Sequence, residues 1–464
     1  MRVCVIGTEY VGLVTGACLA HIGHHVICVE NNEEKVKLLQ AGQSPIFEPG
    51  LSKIMLAAIQ AGRIEFTTNL GIGVTHGEIV FIAVGTPRLP TGETDTRYVE
   101  AVAESVGTYL DGDPKVIAIK STVPIGFSDR LRTIVLDSVT ERQQVLVGTS
   151  NIRSMTLHLE VVEATFNVVS NPGFLQEGSA VHDTFNPDRI VLGGSNPKAL
   201  AMMRELYAPI IDRRYATDPT LPPVPVLVTD LISAETIKHT TNAFLATKIG
   251  FINEIANICD RVGADITQVA KGIGLDSRIG DKFLQAGIGW GGSCLPKDIS
   301  ALIYTAEDYG CEAELLKAVV SVNHRQRLVA IEKLQQVLTI LQGKTIGLLG
   351  LSFKPNTDNM YDAPALHLIE QLNQLEAKVK AYDPIVSQSG ICHGLSGVLV
   401  ETNPEQLADG CDALILVTDW KQFQQLDYRK LAILMATPIM IDGRNFLSRE
   451  ELQRAGFYYL GIGC

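Results

Sequence analysis

Read along its hydrophobic pattern, the chain opens with RVCVIG (2–7), an apolar run of strand length. VGLVTGACLAHIG (11–23) follows, with apolar positions at helical spacing. HVICVE (25–30), EIVFIAVG (78–85), VIAIKST (116–122), FNVVSN (166–171) and RIVLGG (189–194) read as further strands. Strands that are apolar throughout and alternate with helices predict a parallel sheet covered on both faces. The Pro-rich DPTLPPVPV (218–226) breaks the pattern. A long helix is then expected from about Asp230 to Gly263, and its apolar residues cover more than one face, which predicts burial between domains. A second helical stretch is expected from about Asp298 to Leu341. KTIGLLGLSF (344–353), KVKAYDP (378–384), DALILVTDW (412–420) and PIMIDGR (438–444) resume the alternation. The predicted class is α/β, with two Rossmann-like parallel-sheet domains joined by a helical connector. The expected boundaries are 1–225, 226–325 and 326–464. The two α/β halves share no visible sequence repeat.

Composition narrows the class of partner. At 464 residues the chain exceeds one ordinary core. A content of 46% hydrophobic and 19% charged residues suits a globular enzyme. The formal charge of −12 argues against nucleic acid or an anionic membrane as partner, yet leaves room for a local basic pocket that takes a small anion. Nine cysteines are scattered without CxxC spacing, which predicts free thiols and a reducing compartment. No signal-peptide pattern follows Met1 and no apolar run is of membrane-spanning length, so a cytoplasmic location is expected. No His/Cys/Asp cluster has ligand spacing, so no metal is expected; His21, His24 and His25 read as helix-end and turn residues.

Two segments carry chemistry. GTEYVG (7–12) lies between a strand and a helix, the context in which a Gly-rich turn presents helix N–H groups to a diphosphate. Gly7 and Gly12 are the outer glycines, and Glu30, at the end of the second strand, suits a ribose hydroxyl and favours NAD over NADP. The middle position is Glu9, whose carboxylate would repel a phosphate. An ordinary strand–turn–helix without ligand is the alternative. GIGWGGSCLPKD (287–298) surrounds Cys294 with glycines, a lysine and an aspartate. Such residues make poor core material; glycines permit close approach of a substrate, and a nearby cation or helix N-terminus activates a thiol.

GGSCLPKD resembles the nucleophile motif of the UDP-glucose/GDP-mannose dehydrogenase family. The resemblance extends through SPIFEPGL (44–51), AVGTP (83–87), KSTVPIG (120–126), NPGFLQEGSAV (171–181), SAETIKHTTNAFLATKIGF (233–251), RIGDKFL (278–284), GLSFKPNTD (350–358) and DGRN (442–445). It implies two successive NAD-linked oxidations at C6 of a nucleotide sugar, UDP-glucose to UDP-glucuronate, through a thiohemiacetal and a thioester on Cys294. It also implies a homodimer or larger oligomer. By the same resemblance, Lys238 and Asn242 bind substrate and stabilise the oxyanion. Asp298 assists water and proton transfer, and Thr122 lies beside the nicotinamide. Val11, Glu30, Lys35, Thr86, Glu177 and Lys297 match NAD contacts. Phe174, Leu175, Gln176, Glu177, Phe283, Leu284, Gly287, Gly291 and Lys354 match the UDP-sugar cradle, and Arg278 matches a residue reaching a neighbouring subunit's site. An intrachain salt bridge is the alternative role for Arg278.

The chain departs from that pattern at Glu9, at Gly173, where the family has a glutamate, and at Tyr361, where it usually has an arginine. The region from about Thr149 to Ala164 also reads as longer than usual. Loss of one positioned acid/base costs about 10²–10⁴-fold in rate, so a slowed enzyme is expected. A nucleotide-sugar-binding pseudoenzyme and a dehydrogenase of another sugar, GDP-mannose or a UDP-N-acetyl-hexosamine, are the alternatives.

Overall fold

The computed structural model describes residues 1–110, 112–147, 166–388 and 395–464. The longer region at 149–164 therefore lies outside the described residues. The chain forms two compact units, Met1–Thr240 and Thr241–Cys464. Their boundary falls within the helix Leu231–Val262.

Among its described residues the first unit holds eight strands: β1 (Arg2–Ile6), β2 (His25–Val29), β3 (Ile64–Thr67), β4 (Ile79–Ile82), β5 (Lys115–Ile119), β6 (Phe166–Ser170), β7 (Ile190–Gly193) and β8 (Val226–Thr229). They lie in the order β3-β2-β1-β4-β5-β6-β7-β8. Alternate residues of β1 serve opposite faces: Val3 and Val5 enter one apolar cluster, Cys4 and Ile6 the other. All neighbours pair parallel except β6 and β7, which meet antiparallel at Ser170 and Gly193. The sheet is thus not purely parallel. The connection between those two strands carries only the six-residue helix Ala180–Phe185, too short to act as a crossover along the sheet face.

The second unit holds β9 (Thr345–Leu349), β10 (Lys378–Tyr382), β11 (Val398–Val400), β12 (Ala413–Leu416), β13 (Ile439–Asp442) and β14 (Tyr458–Leu460). Their order is β11-β10-β9-β12-β13-β14, all parallel. This repeats the winding of the first six strands of the other unit, so the two halves are related in topology.

The long helix covers Leu231–Val262 as the periodicity predicts. Phe244, Phe251, Ile258 and Val262 on it are exposed. The helical stretch expected from 298 to 341 consists of three helices, Cys294–Asp308, Glu314–Gln326 and Val329–Leu338. Gly310, at φ +70°, stops the first of them in the left-handed conformation that suits a helix end.

Candidate active site

The carboxyl end of the first sheet is built around Gly7, which leaves β1 at φ +96°. A Cβ there would lie 2.7 Å from the Ala83 carbonyl oxygen, and one at Gly12 would lie 2.0 Å from that of Gly7. Only glycine lets the helix Tyr10–His21 start so close to the turn, with its first N–H groups left for a ligand. Glu9 occupies the N-cap position, is exposed, and makes no side-chain cap bond. Its carboxylate lies over Gly85, where an added Cβ would be 2.7 Å from Oε2. That loop follows β4, the neighbour of β1 at the point where strand order reverses, which is where α/β sheets bind ligands.

Beyond β2, the Glu30 carboxylate accepts from Thr8 Oγ1 at 2.5 Å and pairs with Lys35 Nζ at 3.0 Å. Burial pushes its pKa up, but Thr8 and Lys35 outweigh this and hold it below the usual glutamate value. Thr86 Oγ1 donates to the Thr122 carbonyl at 2.8 Å, and Ser121 Oγ to that of Val84 at 2.7 Å. The loops after β4 and β5 are thereby tied together. Gly7, Val11, Gly12, Glu30, Lys35, Thr86 and Thr122 thus gather at one end of this sheet.

The segment 171–178 is anchored beside it. Glu48, buried in the SPIFEPGL motif, accepts from Gly178 N at 2.7 Å and Val181 N at 3.4 Å, and also from the Tyr10 hydroxyl. The Phe174 ring carries the Arg189 guanidinium at 3.9 Å and the Lys238 ammonium at 5.6 Å from its centroid. Leu175 packs on the first apolar cluster, Gln176 is exposed and Glu177 half-buried. Gly173 is not crowded: the nearest atoms to an added Cβ are Lys120 Cε at 3.8 Å and Val11 Cγ1 at 3.9 Å. Sterics therefore do not require glycine there.

Along the helix Leu231–Val262, Glu235, Lys238, His239 and Asn242 fall at i, i+3, i+4 and i+7 and are all buried, a polar stripe on one face. Glu235 accepts from Gly126 N at 2.6 Å, Ser128 N at 2.9 Å and Ser128 Oγ at 2.5 Å. His239 Nε2 sits 2.8 Å from the Val123 carbonyl oxygen. These two clamp the loop that follows Thr122. Asn242 Nδ2 donates to Asp298 Oδ2 at 2.5 Å, and Asp298 is buried.

Cys294 is exposed and begins the helix Cys294–Asp308, with Sγ 3.6 Å from Ser293 Oγ. The first turn of a helix favours a developing negative charge. Asp298 lies one turn further on, and Lys297, next to it, is half-buried. Three of the glycines before Cys294 also admit other parts of the chain at close range. A Cβ at Gly287 would meet the Gly443 carbonyl at 2.7 Å, one at Gly291 that of Asp362 at 2.2 Å, and one at Gly292 the Phe353 ring at 2.6 Å. Asn253, Gln326, Asn323 and Arg444 bond the backbone of the same loop.

Arg327 supports the loop from below, donating to the Trp290 carbonyl at 2.8 Å and to both Asp362 carboxylate oxygens at 2.8 Å. Burial pushes the Asp362 carboxyl up, but Arg327 and His367 hold it far below the usual range. Tyr361 next to it is exposed, as is Arg278, which pairs with Asp276 at 2.6 Å. Phe283 adopts φ +65°, Leu284 is buried and Lys354 half-buried.

Sequence reasoning did not single out Glu48, Arg189, Glu235 or Arg327. The polar periodicity of ETIKHTTN could have revealed the Glu235–His239 clamp; the others depend on chain segments brought together only by folding.

Residues 1–211 match the NAD binding domain of the UDP-glucose/GDP-mannose dehydrogenase family, 232–325 its central domain and 347–449 its UDP binding domain. The UDP-glucose 6-dehydrogenase TuaD of Bacillus subtilis is 44% identical over 464 residues, covering 100% of this chain and 93% of that protein. A UDP-glucose 6-dehydrogenase of Pseudomonas aeruginosa is 41% identical, with 100% and 97% covered. The solved structure of a UDP-glucose dehydrogenase from the hyperthermophilic archaeon Pyrobaculum islandicum superposes with a TM-score of 0.85 at 34% identity, covering 100% of this chain and 98% of that one. Matched along nearly its whole length, this chain belongs to the UDP-glucose/GDP-mannose dehydrogenase family.

Proposed function

We propose that this NAD-dependent dehydrogenase oxidises the C6 alcohol of UDP-glucose to the carboxylate of UDP-glucuronate in two steps, with Cys294 as covalent nucleophile. The observation that carries the reading is an exposed Cys294 at the start of a helix, one turn from a buried Asp298 held by Asn242. The names of the relatives supply the sugar. Bound NAD supplies a hydride acceptor for C6 in each oxidation. Gly7, Val11, Gly12, Glu30, Lys35, Thr86, Thr122, Glu177 and Lys297 are the residues that would hold it. The tight Gly7 turn and the acid beyond β2 suit a diphosphate and a ribose diol; Glu9 is the misfit within that turn.

In this reading the Cys294 thiolate adds to the aldehyde carbon left by the first oxidation. Lys238 and Asn242 stabilise the oxyanion with a cation and an amide donor. Loss of hydride from the thiohemiacetal leaves a thioester. Water then attacks the carbonyl carbon, Asp298 takes its proton, and the thiolate departs as the carboxylate forms. Phe174 to Glu177, Phe283, Leu284, Gly287, Gly291 and Lys354 cradle the UDP-sugar. With Gly173 in place of an acid, hydrolysis is the slowed step. Mixing protein, NAD and UDP-glucose should give a burst of NADH and an adduct on Cys294, and Cys294→Ser should abolish the adduct and the NADH of the second oxidation. Steady turnover at ordinary rates without adduct refutes the slowed reaction, and faster turnover of GDP-mannose or a UDP-N-acetyl-hexosamine reassigns the sugar.

One observation favours a second reading. The Glu9 carboxylate over Gly85 suits a protein that binds the nucleotide sugar but not the dinucleotide. Calorimetry separates the two: binding of UDP-glucose with no NAD binding selects the pseudoenzyme.

Functional domains at 1–225, 226–325 and 326–464 and a cytoplasmic homodimer complete the proposal. The exposed Phe244, Phe251 and Ile258, seven residues apart, form a stripe on the connector helix that suits a second copy, whose site Arg278 would enter. Sedimentation should give a dimer for the wild type and a monomer for Phe244→Glu/Phe251→Glu; a monomeric wild type removes this part.

A further inference from the structure

The reaction proposed above gives Lys120 no part, yet its surroundings are specific. It lines a cavity of about 120 Å³ in the first unit, together with Asn171, Gly173, Arg189 and Tyr207. A water's share of the liquid is about 30 Å³, so the space exceeds one solvent molecule. The Lys120 ammonium donates to Asn171 Oδ1 at 3.2 Å and lies 5.8 Å from the centre of the Tyr207 ring. Among the described residues, no carboxylate comes within ion-pairing distance of it. Gly173 lines the same cavity, and an added Cβ there would touch the Lys120 stem at an ordinary contact distance of 3.8 Å. The Arg189 guanidinium, fixed over Phe174, adds a second cation to the wall.

The acids that also line the cavity are otherwise engaged. The Asp183 carboxylate accepts from Gln176 N at 2.9 Å and Ser179 Oγ at 3.0 Å, and Asp188 is close enough to Arg189 to favour its charge, although burial of Arg189 outweighs this. Tyr207 donates to Asn171 Oδ1 at 2.6 Å, and burial pushes its hydroxyl far above the usual range, so it stays neutral. A cation with room beside it and no anion to face is the complement of a small acid.

We propose that the cavity bounded by Lys120, Gly173 and Arg189 binds a small carboxylate anion, of the size of formate or acetate. The anion takes the space a side chain at 173 would occupy and pairs with the Lys120 ammonium. Burial and the nearby Lys238 lower the pKa of Lys120 to about 7. The anion prefers the protonated amine, so affinity is constant below that pH and weakens about tenfold per unit above it.

The test is titration of ¹³C-formate into the full chain, followed by line broadening at several pH values and requiring neither NAD nor sugar. Saturable binding is expected that is at least about tenfold weaker in Gly173→Glu, whose own carboxylate fills the space, and in Lys120→Gln. Lys120→Arg, charged at every pH, should keep the binding and lose its pH dependence. Affinity unchanged in Gly173→Glu, a pH dependence retained in Lys120→Arg, or no saturable binding by the wild type at about 100 mM formate would each overturn the proposal.

Discussion

The two sheets share one winding, with the third, second, first, fourth, fifth and sixth strands side by side, yet their carboxyl ends are finished differently. In the first unit the acid beyond β2, Glu30, is half-buried and bonded by Thr8, Asn32 and Lys35. In the second, the acid in the same place after β10, Asp383, is fully buried. It accepts six donors: Leu351 N, Ser352 N and Oγ, Ile385 N, Val386 N and Trp420 Nε1. One acid keeps capacity for a ligand; the other is consumed in holding its own loops. Both first strands lead into a left-handed glycine, Gly7 at φ +96° and Gly350 at φ +101°. Only the first is followed closely by a helix starting against the turn; after the second, the chain runs through an irregular loop to the helix Pro364–Gln374. A shared topology thus supplies two crevices, and the loops decide which one suits a dinucleotide.

The comparison can be broken most forcefully at Asp383. Asp383→Ala strands six donors in the interior at about 1–3 kcal/mol each, an upper bound before relaxation. It should leave the second unit unfolded or nearly so by circular dichroism and urea titration. Glu30→Ala should instead leave the urea midpoint almost unchanged while weakening NAD binding in calorimetry. Equal losses of stability would erase the distinction.

Breaking the ion pair that supports the Cys294 loop ranks next. Arg327→Met leaves Asp362 without its bidentate partner and should cost about 3–5 kcal/mol in chemical denaturation. The pH dependence has a definite sign. Asp362 titrates below its ordinary value near 4, so its contribution is complete above that pH and is lost as pH falls through its folded value. Asp362→Asn should flatten this acid limb of the stability curve, and the corresponding limb for Glu30 should be shallower.

Gly7→Ala and Gly350→Ala test whether the two turns are equally constrained. Added Cβ atoms would meet Ala83 O at 2.7 Å and Thr418 Cβ at 2.4 Å, both at positive φ. Each should lose about 1–3 kcal/mol of stability, and only Gly7→Ala should also impair NAD binding. The smallest expected effect is on affinity alone: Glu9→Gly removes a like charge from the first crevice and should tighten NAD binding by about tenfold, equivalent to about 1.4 kcal/mol. An unchanged affinity would mean that Glu9 turns away when the dinucleotide arrives.

Most of the fold was legible because an interior strand of a doubly covered sheet must be apolar on both faces. The four strands that escaped notice, β3, β8, β11 and β14, are the four sheet edges. Their burial alternates or is partial, with residues such as Glu65, Leu227, Leu399 and Tyr458 exposed, so no continuous apolar run marks them. The long helix was visible in its period, but periodicity cannot say which apolar face the rest of its own chain leaves uncovered.

What the sequence determined by itself is what depends on near neighbours in the chain: the strand–turn–glycine–helix at residues 2–21, the acid beyond β2, and the cysteine among glycines before a helix. Tertiary structure alone decided which atoms those glycines face and where the anchoring charges come from. Glu48 reaches Gly178, Arg327 reaches Asp362, and Glu235 reaches the loop after Thr122, each across a separation that no local pattern encodes. Local patterns report the conformations a segment favours; partners distant in the chain are chosen only when burial forces every polar group to find one.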